Sequence, residues 1–287
     1  MAHLTERDIA RLVRRAEFHE TPCGTGIVVW HVWGEATARP PVVLLHGGSG
    51  SWTHWVSTIP ALLARGHRLL VPDMPGFGAS AAPPDGEDAD VLPGWLELGM
   101  QLLGGSTAVD MVGFSLGGLV ATLWAQAWPA RVARLVLVGA PALSAEQLPP
   151  LDLQRWEALP PGPARTAAHR HNMLQLMVAH EASATPLAVA LHANNIERDR
   201  LRRRRLMRTD LLARTLPAVR CPVHGIWGTE DTLCKGRLPQ VEQVLRTAPG
   251  FRTLALIEGA GHWVAFERPG AFDQALAAAL HMGAQAI

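Results

Sequence analysis

Short apolar runs alternate with amphipathic stretches along most of the chain. Residues 27–33 (IVVWHVW) are rich in β-branched side chains and read as a strand. PVVLL at 41–45 is apolar at every position and stops abruptly at His-Gly-Gly, the pattern of a strand buried on both faces. Similar runs at 67–72, 108–112, 135–138, 223–227 and 253–257 predict further strands. Between them, residues 55–65, 91–103, 117–128, 238–246 and 271–281 have helical patterning, although Pro93 and Gly94 weaken the start of the second. The first twenty residues are charged and also look helical. Strands alternating with helices predict an α/β fold with a mostly parallel sheet covered by helices on both faces. No repeat with a period of 20–50 residues is visible.

One stretch breaks the alternation. Residues 142–216 carry no strand signal and are rich in Leu, Ala, His and Arg, with proline clusters at 149–150 and 160–163. That is too long for a plain crossover between strands. It predicts a helical cap, or lid, subdomain at 142–216, inserted into one catalytic core made of 1–141 and 217–287. The insertion accounts for a length of 287 residues, above the usual size of one domain.

Composition narrows the function. An apolar fraction of 48% against 18% charged residues excludes a disordered chain. A net charge of +1 argues against a nucleic-acid binder driven by a global positive field. Three widely spaced cysteines, with no CxxC, suit free thiols packed as small hydrophobes in a reducing compartment. The N-terminus lacks the apolar stretch of a signal peptide and no run is long enough to span a bilayer, so a cytoplasmic location without membrane attachment is expected. The chain has no tyrosine, which removes that residue as an acid, base or oxyanion donor.

The strongest chemical signal is Gly113-Phe114-Ser115-Leu116-Gly117-Gly118. It matches G-x-S-x-G between a predicted strand and a predicted helix, where a sharp turn would lift the Ser115 hydroxyl above the sheet edge. The helix N-terminus would then favour negative charge developing beside it. A serine hydroxyl needs a base. His262, in the glycine-rich GAGHW after the last predicted strand, is in place to supply one. The turn after the strand at 223–227 reads WGTED and offers Glu230 or Asp231 to orient the imidazole. The order Ser115, acid, His262 is that of α/β-hydrolase serine enzymes, and the fourth residue beyond Trp227 in W-G-x-x-D is Asp231, with Glu230 the alternative. An oxyanion hole would take one backbone N–H from Leu116 and one from the 46–52 loop, Gly48 first, with Gly47 or Ser49 one register away.

HGG at 46–48, DMPGFGAS at 73–80, GFSLGG at 113–118, WGTED at 227–231 and GAGHW at 259–263 together resemble the α/β-hydrolase superfamily over nearly the whole chain. The resemblance implies the α/β-hydrolase fold and a Ser-His-Asp triad of Ser115, His262 and Asp231, with no metal or organic cofactor. Haloalkane dehalogenases and epoxide hydrolases of this fold use an aspartate where Ser115 stands. HGGSGSWTHW and HWVAFERP are similar to the C–C bond hydrolases of aromatic meta-cleavage pathways. Those enzymes act on 2-hydroxy-6-oxo-dienoates, promoting ketonisation before the bond is cut. Two features depart from them: Phe114 replaces the usual Asn before the nucleophile, and no Pro follows Gly48. A carboxylesterase or lactonase with the same triad is therefore a competing reading, and a non-catalytic binding protein a third.

Within the predicted cap, residues 194–214 hold eight Arg against Glu197, Asp199 and Asp210. One arginine could grip a substrate carboxylate through its planar fork, Arg198 being the candidate with Asn194 and Asn195 beside it; a solvated helix face is the alternative. The cap histidines His169, His171, His180 and His192 lack zinc-site spacing and read as surface or packing residues. Gly47, Phe114 and Trp263 are the expected substrate contacts beside the triad, and Trp52, Trp55 and Trp156 are possible walls of an apolar pocket. The expected partner is a small, carboxylate-bearing molecule, with no nucleic acid or membrane, acting on a monomer or a homo-oligomer.

Overall fold

The computed structural model describes residues 4–103, 107–144, 150–201 and 203–281. Pro149 and Arg202, which figure in the sequence reading, lie outside the described residues. Eight strands form one sheet: β1 (Glu17–Cys23), β2 (Gly26–Trp33), β3 (Val42–Leu45), β4 (Leu69–Pro72), β5 (Val109–Phe114), β6 (Val132–Val138), β7 (Val223–Gly228) and β8 (Phe251–Ile257). Their order is β1-β2-β4-β3-β5-β6-β7-β8. β2 is antiparallel to both β1 and β4, and every pairing from β4 through β3 to β8 is parallel. The helices are α1 (Glu6–Arg15), α2 (Ile59–Ala64), α3 (Leu92–Leu102), α4 (Leu116–Ala127), α5 (Pro163–Leu176), α6 (Pro186–Glu197), α7 (Leu211–Thr215), α8 (Leu238–Leu245), α9 (Val264–Glu267) and α10 (Pro269–His281).

The apolar runs divide their side chains between two cores, as period-two alternation requires. Val43 and Leu45 of β3 pack with Leu96, Leu119 and Trp124 on one face. Val42 and Leu44 pack with Trp55, Ile59 and Phe272 on the other. Strands buried on both faces carry no polar alternation, which is why these segments are apolar throughout.

The helix expected over the first twenty residues is present as α1, but from Glu17 onward the chain forms strand β1. Its sequence, EFHETPC, is mostly polar, and only Thr21 and Cys23 are buried. As an edge strand it needs one buried row and one neighbour, so its signal is weak. The expected helix at 55–65 is shorter, because a 3-10 turn at Trp52–Trp55 precedes α2. Pro93 sits in the first turn of α3, where a missing N–H costs nothing.

Among the described residues between β6 and β7 there is no strand, and α5, α6 and α7 occupy the segment. Its last part returns to the main body: Leu212 and Leu216 are fully buried in the core that includes Trp124, and the Leu212 N–H donates to the Ala142 carbonyl at 3.0 Å. All three cysteines are buried as free thiols. No helix among the described residues is long and apolar enough to cross a membrane.

Candidate active site

Ser115 stands between β5 and α4 with φ 50° and ψ −121°, in the positive-φ region that a side chain normally avoids. Packing holds it there. The Ser115 N–H donates to the Val138 carbonyl at 2.8 Å. A Cβ on Gly113 would collide with the backbone of Gly117, and one on Gly117 with the carbonyls of Leu45 and His46. The two glycines of the motif are therefore set by close backbone approach, which lets α4 begin against the end of β3.

His262 lies on the loop after β8, and its Nδ1 is 2.8 Å from Oδ2 of Asp231, on the turn after β7. The pair is almost completely buried. The other Asp231 oxygen accepts from the Leu233 N–H at 3.0 Å. Glu230 instead faces Lys235, 2.6 Å from its Nζ, and that ammonium lowers its carboxyl pKa. Space for the Asp231–His262 pair comes from Gly139 at the end of β6: a Cβ there would sit 3.2 Å from both Asp231 Oδ2 and His262 Nδ1.

The loop after β3 is braced from beneath. His46 is fully buried, its Nδ1 2.7 Å from the Gly47 carbonyl and its Nε2 2.9 Å from the Met74 N–H. Those partners require a neutral ring with its proton on Nδ1. Asp73 accepts from the Trp52 N–H at 2.8 Å and from the Ala79 N–H at 2.8 Å, tying DMPGFGAS to the same loop. A Cβ on Gly78 would strike the Asp73 carboxylate, which explains that glycine. Among the described residues no hydrogen bond is recorded from the backbone N–H of Gly48 or Leu116.

A cleft of about 310 Å³ opens over these elements. Gly47, Gly48, Ser49, Phe114, Ser115 and His262 form its floor on the sheet side. Leu153, Leu176, Met177, His192, Ile196, Met207 and Arg204 face it from the helical segment. A second cavity of about 190 Å³ adjoins it and shares Pro141, Met207, Arg208 and Leu233. Val241, Val244 and Cys234 make its walls largely apolar.

Arg198 is a correction. It caps the end of α6, exposed, and is absent from the cleft wall. The arginine at the site is Arg204, whose guanidinium carbon would lie 3.3 Å from a Cβ on Gly48. It donates to Asp199 Oδ2 at 2.7 Å and to Ser49 Oγ at 2.9 Å, while the Ser49 hydroxyl donates to Asp199 at 2.6 Å. Ser49 itself has φ 48°. A run of adjacent arginines carries no period that singles out the inward one; the return of the chain after α6 decides it. Asn194 is exposed, and Asn195 is buried, bonded to Ser51 and Thr53 instead of facing a ligand.

Trp263 also stands elsewhere than expected. It is buried behind the cleft, donating its indole N–H to the His54 carbonyl at 2.9 Å and stacking on Phe266. Trp52 and Trp55 are core residues, and Trp156 packs on His169.

Two histidines in the wall were not foreseen there. His54 Nδ1 accepts from the Gly47 N–H at 3.1 Å, so its proton rests on Nε2. Burial, reinforced by the neighbouring His46, His192 and His262 rings, holds its pKa well below 6.5. Burial, with His169, lowers His192 to about 4. His54 and His192 therefore present neutral imidazoles, and the arginines in the cleft wall are Arg204 and Arg208. His54 stands in plain view in WTHW, but only the turn geometry aims its ring inward.

These buried rings predict how stability responds to acid. His31, His46, His54, His67, His192 and His224 all have pKa values lowered, chiefly by burial. An unfolded chain protonates them near 6.5, so the stability present above that pH is lost as pH falls toward 4. Burial raises Asp110 and Asp273 to about 6, against the pull of Arg134 and Arg65. Those two add stability as pH falls below 6. Six rings outweigh two carboxyls, and the melting temperature is expected to drop by at least about 5 °C between pH 6.5 and 4.5 in a buffered thermal denaturation series. A flat or rising profile would contradict neutral burial of these rings.

A family profile described as alpha/beta hydrolase fold matches residues 40–269. A 2-hydroxy-6-oxo-6-phenylhexa-2,4-dienoate hydrolase of Burkholderia cepacia is 31% identical over 116 residues, 39% of this chain and 41% of that protein. The chain thus spans about two fifths of the length of such relatives. A 2-hydroxy-6-oxononadienedioate/2-hydroxy-6-oxononatrienedioate hydrolase of Klebsiella pneumoniae matches more broadly, 26% identical over 91% of this chain and 90% of its own. Among solved structures, a meta-cleavage product hydrolase from Pseudomonas fluorescens superposes with a TM-score of 0.72 at 22% identity, covering 93% of this chain and 98% of that one. A carboxylesterase from Bacillus subtilis superposes with 0.76 at 19% identity, covering 96% and 98%. At such identities the structural likeness speaks for the fold alone.

Proposed function

This chain belongs to the alpha/beta hydrolase fold family, and we propose that it is a hydrolase, a Ser-His-Asp enzyme that cleaves the C–C bond of a 2-hydroxy-6-oxo-dienoate. Ser115 is the nucleophile. With a carboxylate 2.8 Å from Nδ1, the His262 proton rests on that nitrogen and Nε2 is left basic. His262 takes the Ser115 proton and later returns one to the departing group, an alkoxide from an ester or the carbon of a ketonised dienoate. Asp231 holds the tautomer and stabilises the imidazolium. The Gly48 and Leu116 N–H groups serve as the oxyanion donors, and α4 adds its positive end. The helical segment at 142–216 serves as a cap, excluding water from the reaction.

The observation that carries the substrate is polarity. One side of the cleft sets Arg204 beside Gly48, and the other runs into the apolar cavity at Val241 and Val244. A dienoate has that shape, with a carboxylate at one end and a hydrocarbon substituent at the other. The names of the Burkholderia and Klebsiella relatives support the same class.

One observation favours a carboxylesterase instead: Arg204 is already paired with Asp199, so a neutral ester would meet a compensated site. Arg204→Leu separates the two readings. For a dienoate substrate, followed by loss of its visible absorbance, the variant is expected to raise KM about 10- to 100-fold, as losing a charged hydrogen bond does. Turnover of p-nitrophenyl butyrate should stay within about threefold. Efficient ester turnover with no dienoate decay in the unaltered protein would sink the C–C reading and leave the esterase.

A further inference from the structure

Glu267 is a buried carboxylate at the end of α9 that the triad does not use. It accepts from four donors and faces two separate parts of the chain. From the loop bearing His262, the Gly261 N–H reaches Oε2 at 2.6 Å. From the segment that follows α5, the Ala179 N–H lies at 3.0 Å from Oε2, the His180 N–H at 2.9 Å from Oε1 and the Ser183 hydroxyl at 2.8 Å from Oε1. An ionised carboxylate, with acceptors only, suits four donors. Two further bonds cross the same junction. The Trp263 N–H donates to the Met177 carbonyl at 2.6 Å, and His180 Nε2 donates to the Gly259 carbonyl at 2.8 Å. Met177 and His262, on opposite sides of this junction, both line the cleft.

We propose that Glu267 is a positioning residue, whose carboxylate locks the segment after α5 onto the His262 loop and so holds the base in register with Ser115 and Asp231. The proposal rests on the triad reading above. Asp231 fixes the rotation of the imidazole through Nδ1, but that side-chain bond does not fix the backbone that carries the ring. Gly261, one residue away, is held by Glu267. At this junction there is no room for slack: a Cβ on Gly261 would come within 2.7 Å of the Ala179 nitrogen.

Glu267→Gln tests this. The amide keeps the shape but offers one acceptor oxygen and one N–H₂, so either Gly261 or the His180 and Ser183 pair must face a donor. p-Nitrophenyl acetate, too small to need the cap wall, is the substrate. The folded variant is expected to lose at least about tenfold in kcat with KM within about threefold, the signature of disturbed positioning near the reacting atoms. Labelling of Ser115 by a fluorophosphonate should slow by a similar factor. Gly261→Ala, which pushes on the same junction and leaves the carboxylate in place, should give the same pattern and decides the matter alone if Glu267→Gln is too unstable to purify. A stably folded variant of either kind that keeps kcat and labelling rate within twofold overturns the proposal, even if its melting temperature falls. Failure of the unaltered protein to be labelled at Ser115 would instead overturn the triad reading.

Discussion

With Ser115 replaced by alanine, kcat for p-nitrophenyl butyrate is expected to fall by roughly 10⁴- to 10⁶-fold while KM stays within about threefold. Alanine keeps the Cβ, so the strained φ of 50° at the elbow is neither relieved nor worsened and the backbone has no cause to move. Only Oγ is removed. What remains is substrate binding and the oxyanion donors, which by themselves leave a residual acceleration of about 10³–10⁴ over water. Steady-state kinetics, with unchanged thermal unfolding as a check on folding, measures the loss. Retention of more than about 1% of kcat would mean that another group attacks the carbonyl and would remove Ser115 from the mechanism.

Asp231→Asn should cost about 10⁴ in kcat by a different route. The 2.8 Å bond from His262 Nδ1 requires an acceptor at Oδ2. Asparagine can present its N–H₂ there, because its oxygen is claimed by the Leu233 N–H that now reaches Oδ1 at 3.0 Å. A donor facing Nδ1 drives the ring proton to Nε2, the position that must accept the serine proton. Geometry survives while the tautomer is wrong. Glu230→Gln is the companion measurement: with its carboxylate on Lys235 and turned from His262, kcat should stay within twofold. If Glu230→Gln were the damaging change and Asp231→Asn the mild one, the acid of the triad would have to be reassigned.

Much of this architecture is legible without coordinates because its cause is local. PVVLL at 41–45 is apolar throughout because β3 has neighbours on both sides and a core on each face. GFSLGG announces a turn because small residues must stand two positions either side of Ser115. Where the cause is remote, the local sequence carries little of it. EFHETPC hides an edge strand, since one buried row asks little of a sequence. Gly139 offered no motif, yet it leaves the room in which Asp231 and His262 meet.

Arginine choice shows the division most clearly. Residues 194–214 display their charge in the sequence, but Arg198 and Arg204 are chemically identical there. α6 ends with Arg198 in solvent, and the chain then folds back so that Asp199 and Arg204 close on Ser49 over the loop after β3. Trp263 stands behind the cleft and His54 in its wall for the same kind of reason: the indole holds the turn, and the turn aims the imidazole. Sequence alone determined the fold class, the chain order of the motifs and the sharp turn at Ser115, since backbone sterics and burial periodicity act between near neighbours. Tertiary structure decided which side chains of the segment between β6 and β7 face the cleft, which buried histidines stay neutral and what Glu267 joins, because those depend on contacts between segments far apart in the chain.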